Sequence, residues 1–362
     1  MRHDVDEKWM RLALELAQHG QGFVEPNPMV GCVLVRDDRE IGRGFHRKFG
    51  EAHAEIIALR GANGIAGATA YVNLEPCCHH GKTGPCTHAL LDAKIARVVV
   101  ASLDPFPAVI GGGVRQLREA GVQVDIGLLE GEAKRMNAPY FKRNRSGRPW
   151  VIAKWAMTLD GKIATWQGGS QWISSESSRA FVHQLRGRMD AILIGGQTAL
   201  RDDPLLTARP PGPRTATRIV FDSRLALSPE SQLVRSRDQA PLLFVANNSP
   251  AERRRLFQGL GCEVLELASA NLADQVNPVL DELGRRNMTN VLLEGGSTLI
   301  GSFFDAAQID EVVVFVAPKL VGGATALSAI GGKGIEKMVD AVNLVDVEVQ
   351  RFDDDVCIRA RI

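Results

Sequence analysis

Short apolar, β-branched runs at residues 30–35, 69–74 and 97–103 stand between segments of mixed polarity and predict buried strands. Helical segments begin near Ala52 and Thr87, and residues 112–120 predict a further helix that leads into a strand at 122–126. The first part of the chain therefore reads as an α/β layer built from βαβ units. Ahead of it, Trp9, Leu12, Ala13, Leu16 and Ala17 form one stripe of an amphipathic helix. That helix has no uninterrupted apolar stretch and does not have the pattern of a signal peptide.

Around residues 142–149 the periodicity stops in a polar, basic segment, KRNRSGRP, that predicts a linker and divides the chain into domains 1–146 and 147–362. A second α/β pattern follows. Its strands are expected at 150–157, 190–195, 217–222, 242–246, 291–295 and 312–318, and residues 344–350 and 356–362 read as a closing antiparallel hairpin at the end of the sheet.

Composition narrows the function classes. At 362 residues the chain exceeds what one core usually serves, and a formal net charge of +1 argues against a nucleic-acid partner, leaving a small molecule as the expected ligand. No apolar run is long enough to span a bilayer. Of six cysteines, Cys77 and Cys86 are candidates for a metal, and the scattered Cys32, Cys78, Cys262 and Cys357 suit a reducing cytoplasm better than a disulfide framework.

The chemistry is densest at His53-Ala54-Glu55, Glu75-Pro76-Cys77 and Cys86. His53, Cys77 and Cys86 form a three-ligand set for Zn2+, which leaves a fourth tetrahedral position for water whose pKa the metal lowers to about 7. Glu55 is not needed as a ligand and is available to shuttle protons, as in zinc-dependent base deaminases with the H-x-E…P-C…C pattern. A structural zinc clip is the other reading of these residues. Such sites recruit a fourth Cys or His, and Cys78, His79, His80 and His88 are nearby. The insert CHHGKTGP between the two cysteines is longer than the P-C-x-x-C spacing and gives the mouth of the site an extra loop.

Farther along, two expected strands run into glycine pairs, IGGQTAL at 194–200 and EGGSTLIGS at 294–302. Glycines permit close backbone approach, and a helix start offers N–H groups to phosphate, so a nucleotide fits there, while a plain tight βα turn is the other reading and the commoner one; neither turn is G-x-G-x-x-G, which disfavours a Rossmann domain.

The motifs PNPMVGCV, GFHRKFGEAHAE, NLEPCCHHGKTGPC, KWAMTLDGKIA, SQWIS, RDDPLLTAR and LLEGGSTLIGS, in this order over nearly the whole chain, resemble the bifunctional riboflavin-biosynthesis deaminase-reductase family. The resemblance implies an α/β fold with an N-terminal cytidine-deaminase-like domain and a C-terminal dihydrofolate-reductase-like domain. It implies hydrolytic loss of the pyrimidine 2-amino group from a phosphorylated ribosylaminopyrimidine, then NADPH-dependent reduction of the ribosyl chain to ribityl. It further implies a dimer, to be set beside the cytoplasmic location that the cysteine usage suggests.

Residue by residue, the resemblance assigns His53, Cys77 and Cys86 to zinc and Glu55 to proton transfer, with Asn27, His46 and Lys82 at the substrate, Thr83 beside Lys82 as a further phosphate donor. In the second domain it assigns substrate contacts to Ser170, Arg186, Leu206, Arg209 and Glu294. The cofactor contacts are Ala156, Trp172, Thr198, Asp202, Ser223, Gly296, Ser297, Thr298, Leu299, Ile300, Gly301 and Ser302. Arg186 and Arg209 can fork onto phosphate, Trp172 can stack on a flat ring, and Ser223 with Arg224 are candidates for the 2'-phosphate of NADPH. Lys154, Asp202 and Glu294 are the ionisable groups expected to manage protons during hydride transfer.

Two residues depart from the family pattern: Gly84 stands where a second proline is usual, and Phe106 stands where asparagine is usual. A nucleic-acid base deaminase with an unrelated C-terminal module and a non-enzymatic zinc-stabilised binding protein are the competing classes. Balanced charge and the long cysteine insert count against the first, and the spare Glu55 counts against the second.

Overall fold

The computed structural model describes residues 2–79 and 84–362, and the chain divides into two compact units, Met1–Gly147 and Arg148–Ile362. In the first, α1 (Arg2–Gln18) precedes β1 (Gly31–Arg36), β2 (Arg39–Phe45), α2 (Ala54–Arg60), β3 (Thr69–Leu74) and α3 (Cys86–Asp92). Then come β4 (Arg97–Ser102), α4 (Gly112–Glu119), β5 (Gln123–Ile126), α5 (Glu130–Met136) and α6 (Ala138–Ser146). The sheet order is β2-β1-β3-β4-β5, with β1 antiparallel to both neighbours and β3, β4 and β5 parallel. The expected βαβ pattern therefore holds only from β3 onward. The sequence pattern does not reveal β2, because Arg39, Glu40 and Arg43 interrupt its apolar positions.

Residues 142–146, expected as a linker, are instead the end of α6. That helix fully buries a single side chain, Phe141, so it carries no apolar period, and Gly147 in the left-handed region at φ 73° closes it.

The second unit runs β6 (Trp150–Thr158), α7 (Glu176–Arg186), β7 (Ala191–Gly195), α8 (Gly196–Asp202), β8 (Thr217–Phe221), α9 (Gln232–Arg235) and β9 (Leu242–Ala246). It continues through α10 (Ala251–Gly259), β10 (Glu263–Glu266), α11 (Leu272–Arg285), β11 (Asn290–Glu294), α12 (Ser297–Asp305), β12 (Glu311–Ala317), β13 (Val345–Phe352) and β14 (Asp355–Arg361). Its nine-stranded sheet has the order β10-β9-β8-β7-β11-β6-β12-β14-β13. The strands from β10 to β12 are parallel, and β14 and β13 add the expected antiparallel hairpin at the edge. The central parallel strands are apolar because helices cover both faces: Val182 and Phe257 pack on one side, Val276, Leu283 and Phe303 on the other.

In the first unit α1 and α5 cover one face of the sheet, and α2, α3 and α4 the other. Helix α2 lies unusually close. A Cβ on Gly44 of β2 would sit 2.5 Å from the Ala54 carbonyl oxygen and 2.6 Å from the Ala58 nitrogen. Gly44→Ala should therefore lower stability by ~1–3 kcal/mol through overpacking. Gly259→Ala, at a helix end with nothing within 4 Å of the new Cβ, should not destabilise the chain, and thermal denaturation of the two variants checks the contrast.

Candidate active sites

The ends of two short helices build the first site. His53 is the N-cap of α2 and Glu55 lies in its first turn; Cys86 opens α3, and Cys77 follows β3. One donor atom each from His53, Cys77 and Cys86 lies within 4.8 Å of the others. His53 Nδ1 is 3.2 Å from Cys86 Sγ and 3.5 Å from Cys77 Sγ, and the Cys86 backbone N–H donates to Cys77 Sγ at 3.3 Å. The interaction between the two thiols lowers the pKa of Cys77 and raises that of Cys86. One nitrogen and two sulfurs in this geometry fit a tetrahedral zinc with an open fourth position.

Glu55 is 3 % exposed and is not part of that donor set. Its Oε2 has no hydrogen-bond partner among the described residues, and burial pushes the carboxyl up to about 6. An orphaned carboxylate oxygen next to three metal donors is the arrangement a proton shuttle requires.

His53, Glu55 and Cys77 open into a cavity of about 330 Å³ that also receives Asn27 and His46. His46 Nδ1 faces the Ala52 carbonyl oxygen at 3.2 Å and its Nε2 faces Asn27 Nδ2 at 3.3 Å. A ring that donates from Nδ1 and accepts at Nε2 is neutral, and burial lowers its pKa. Lys82 and Thr83 lie outside the described residues.

Sequence reasoning missed Asp104, Tyr140 and Arg143 among the residues of this cavity. Asp104 follows β4, next to the strand that delivers Cys77, so its place at a strand end was the available signal. The Tyr140 hydroxyl donates to Asp104 Oδ1 at 2.8 Å, as does the Phe106 backbone N–H. Phe106 itself lines the cavity, and its ring centroid is 5.8 Å from that of His79.

The second unit holds a larger cavity of about 1010 Å³ over the carboxyl-end half of its parallel strands. Lys154, Ala156, Ser170, Trp172, Arg186 and Thr198 line it, as do Asp202, Leu206, Arg209 and Glu294. Lys154 and Glu294 are register partners on adjacent parallel strands, so both point to the same side of the sheet. Gly296, Ser297, Thr298 and Ile300 also reach the cavity.

Four expected cofactor residues are placed differently. Leu299 packs in the core, Gly301 meets the Gly331 backbone, and the Ser302 hydroxyl donates to the Thr298 carbonyl within α12. A helix turns about 100° per residue, so consecutive positions cannot all face one cavity. Ser223 is exposed after β8, outside the cavity lining, and Arg224 beside it is exposed too.

Arg186 lines the same cavity and is paired there. Its Nε and Nη2 donate to Glu294 Oε1 and Oε2 at 2.6 and 2.8 Å, so the fork expected for phosphate is closed on a carboxylate. Burial opposes the charge on Glu294, but Arg186 holds its pKa below the ordinary carboxylate value; burial lowers Lys154 and raises Asp202. Arg179 stands 4.6 Å over the Trp172 ring, and Arg209 Nη2 is 3.4 Å from His183 Nε2.

Asp104 offers a pH test. Burial raises its carboxyl from 3.8 to about 6, so the folded chain holds this proton more tightly than the unfolded chain does. Its contribution to stability is present below about pH 4 and is lost as pH rises towards 6. Asp104→Asn should flatten that part of the stability profile, which thermal denaturation at stepped pH measures.

Both units match known families. Residues 3–102 match the family model of the cytidine and deoxycytidylate deaminase zinc-binding region, and residues 149–358 match the RibD C-terminal domain. The chain is 40% identical over 353 residues to riboflavin biosynthesis protein RibD of Actinobacillus pleuropneumoniae, covering 97% of this chain and 94% of that protein. It is 38% identical to the Escherichia coli K12 protein of the same name, covering 98% of each chain. Among solved structures, Acinetobacter baumannii RibD superposes with a TM-score of 0.87 at 35% identity, covering 99% of each chain. A Thermotoga maritima protein described as a diaminohydroxyphosphoribosylaminopyrimidine deaminase and 5-amino-6-(5-phosphoribosylamino)uracil reductase gives 0.86 at 34% identity, covering 100% of this chain and 99% of that one. With a zinc-type donor triangle in one unit, a nucleotide-sized cavity in the other and relatives matched over both, the chain belongs to the RibD family of riboflavin-biosynthesis proteins.

Proposed function

We propose that the first unit deaminates diaminohydroxyphosphoribosylaminopyrimidine and that the second reduces the ribosyl chain of the deaminated product with NADPH. The observation that carries the first half is the His53, Cys77 and Cys86 triangle with the buried, unpartnered Glu55 oxygen beside it. Bound zinc supplies Lewis acidity toward water at neutral pH. His53, Cys77 and Cys86 hold the metal, and the hydrogen bonds around Cys77 favour its thiolate. Glu55, with a carboxyl pushed up to about 6, would take the two protons of the attacking water in turn, passing one to the ring nitrogen and the other to the departing amine, which leaves as ammonia. Asn27 and the neutral His46 present an amide and an imidazole to the pyrimidine edge.

For the second half, NADPH supplies hydride. The N–H groups at the start of α12 and the glycine pair before it suit the cofactor's phosphates. Lys154, whose pKa burial lowers, is the group best suited to pass a proton to the opening ribose, and the ion pair with Arg186 keeps Glu294 charged beside it. Asp202 closes α8 at the cavity edge, and Arg209 remains the arginine directed to the substrate phosphate.

Zinc content, ammonia release and NADPH oxidation on supplied deaminated substrate test the assignment separately. Glu55→Gln should keep about one zinc per chain and lose ~10²–10⁴-fold in ammonia release with reduction intact. Cys86→Ser should lose zinc and deamination together. Asp202→Asn should impair only NADPH oxidation. Loss of reduction in a folded Glu55→Gln protein would defeat the independent-site assignment.

A cytoplasmic location and a dimer complete the proposal; no helix among the described residues is long and apolar enough to cross a membrane. Strand β13 supports the dimer: it is the sheet edge, and its Val345, Val347 and Val349 are 55, 57 and 66 % exposed. An exposed apolar edge is a pairing surface, and a second copy offers the matching edge. Val347→Lys with Val349→Lys should turn a dimer into a monomer in sedimentation equilibrium, and an unchanged mass would remove β13 from the interface.

A further inference from the structure

In the second unit the segment after α8, residues 203–209, brings Asp203, Leu206 and Arg209 to the wall of the larger cavity. The stretch 203–208 is neither helix nor strand, and Leu206 has φ 54°, a conformation that a non-glycine residue holds where its surroundings impose it. Side chains from two other elements take carbonyls of this segment. Arg218 Nη1, on β8, donates to the Leu205 oxygen at 3.3 Å, and His183 Nδ1, on α7, faces the Thr207 oxygen at 3.1 Å. The end of α7 closes on the residues that follow: a Cβ on Gly187 would lie 2.8 Å from Gly212 Cα, and the Arg214 N–H donates to the Gly187 carbonyl at 2.9 Å. The backbone is therefore held at several points, and His183 is not its sole support.

The other edge of the His183 ring meets Arg209, with Nε2 3.4 Å from Nη2. A guanidinium has donors only, so Nε2 accepts and the ring proton sits on Nδ1, where it donates to Thr207. Burial, then Arg186 on the same helix and Arg209 itself, lower the imidazole pKa against the opposing pull of the Thr207 carbonyl and of Glu294 on β11. The ring is thus neutral at neutral pH and able to accept. Arg186 is closed on Glu294, whereas the His183 contact takes one of the five N–H groups of Arg209 and leaves the fork for an anion. An exposed arginine loses rotamer freedom when it grips a ligand, and a contact that holds it beforehand reduces that loss.

We propose that His183 is the positioning residue of Arg209: its imidazole links the guanidinium to the Thr207 carbonyl and so directs it to the phosphate of the ribosyl chain. The inference rests on the reductase reading of this unit, with Arg209 as its phosphate contact, and adds the side chain that sets this contact in advance.

The test uses full-length protein and measures NADPH oxidation on supplied deaminated substrate. His183→Phe, which keeps a ring and removes both nitrogens, should raise KM for that substrate ~2–12-fold, the equivalent of one net hydrogen bond, with kcat and the KM for NADPH unchanged. His183→Asn, whose amide can still donate to Thr207 but is too short for Arg209, should give the same rise. His183→Gln, long enough to offer Arg209 an oxygen, should give a smaller one. In an Arg209→Met background His183→Phe should cost nothing further, because the group it positions is gone. A histidine that only supported the fold would cost the same in both backgrounds, and that additivity would overturn the proposal. So would an equal effect on kcat or on the KM for NADPH, or a His183→Asn protein with the wild-type KM. A folded Arg209→Met protein with unchanged KM would overturn the phosphate role of Arg209 and the proposal with it. Wild-type protein that oxidised no NADPH on this substrate would instead overturn the reductase reading itself.

Discussion

The approach of α2 to β2 is the constraint on which the first site depends. Gly44 faces the Ala54 carbonyl, one residue beyond His53 and one before Glu55, and Gly42 faces the Ala58 carbonyl a turn later. With no Cβ on either glycine, the helix start sinks against the sheet edge, and His53 reaches the sulfurs delivered by β3 and α3. The same closeness removes Glu55 from solvent, which raises its pKa. Packing, metal geometry and proton chemistry thus follow from the absence of a side chain on two strand residues.

The second unit solves a different electrostatic problem. Glu294 is buried and Lys154 is partly buried beside it on the neighbouring strand, where an unpaired charge is costly. The bidentate bond from Arg186 supplies a counter-charge to Glu294, while Lys154 keeps a lowered pKa. The two groups therefore hold different protonation tendencies within one cavity, the condition under which one can give up a proton while the other fixes the local field. A larger, more open cavity accompanies this pair, as expected where a dinucleotide and a sugar phosphate share the space.

Local chemistry in the chain was enough to mark the zinc donors, the spare carboxylate, most of the strands and the glycine turns, because ligand type, apolar runs and glycine pairs are short-range signals. His53, Cys77 and Cys86 converge as their residue types imply. The strand runs at 69–74, 217–222 and 242–246 correspond to β3, β8 and β9. The polar strand β2 and the basic helix α6 escaped, since each buries too few apolar side chains to leave a period.

What only the tertiary structure decided concerns direction and partnership. Whether Arg186 faces a phosphate or a carboxylate depends on a residue 108 positions away, and no local pattern encodes that distance. Which residues of the 296–302 run meet the cavity depends on how α12 is rotated by the packing of Leu299 and Phe303 into the core. The placement of Arg143 and Tyr140 beside Asp104 likewise arises from a helix docking on a strand end. The sequence by itself determined the chemical repertoire and the two-part α/β organisation, since residue type and hydrophobic period act over a few positions. Long-range packing determined which charges meet, because contacts between distant segments exist only once the cores have formed.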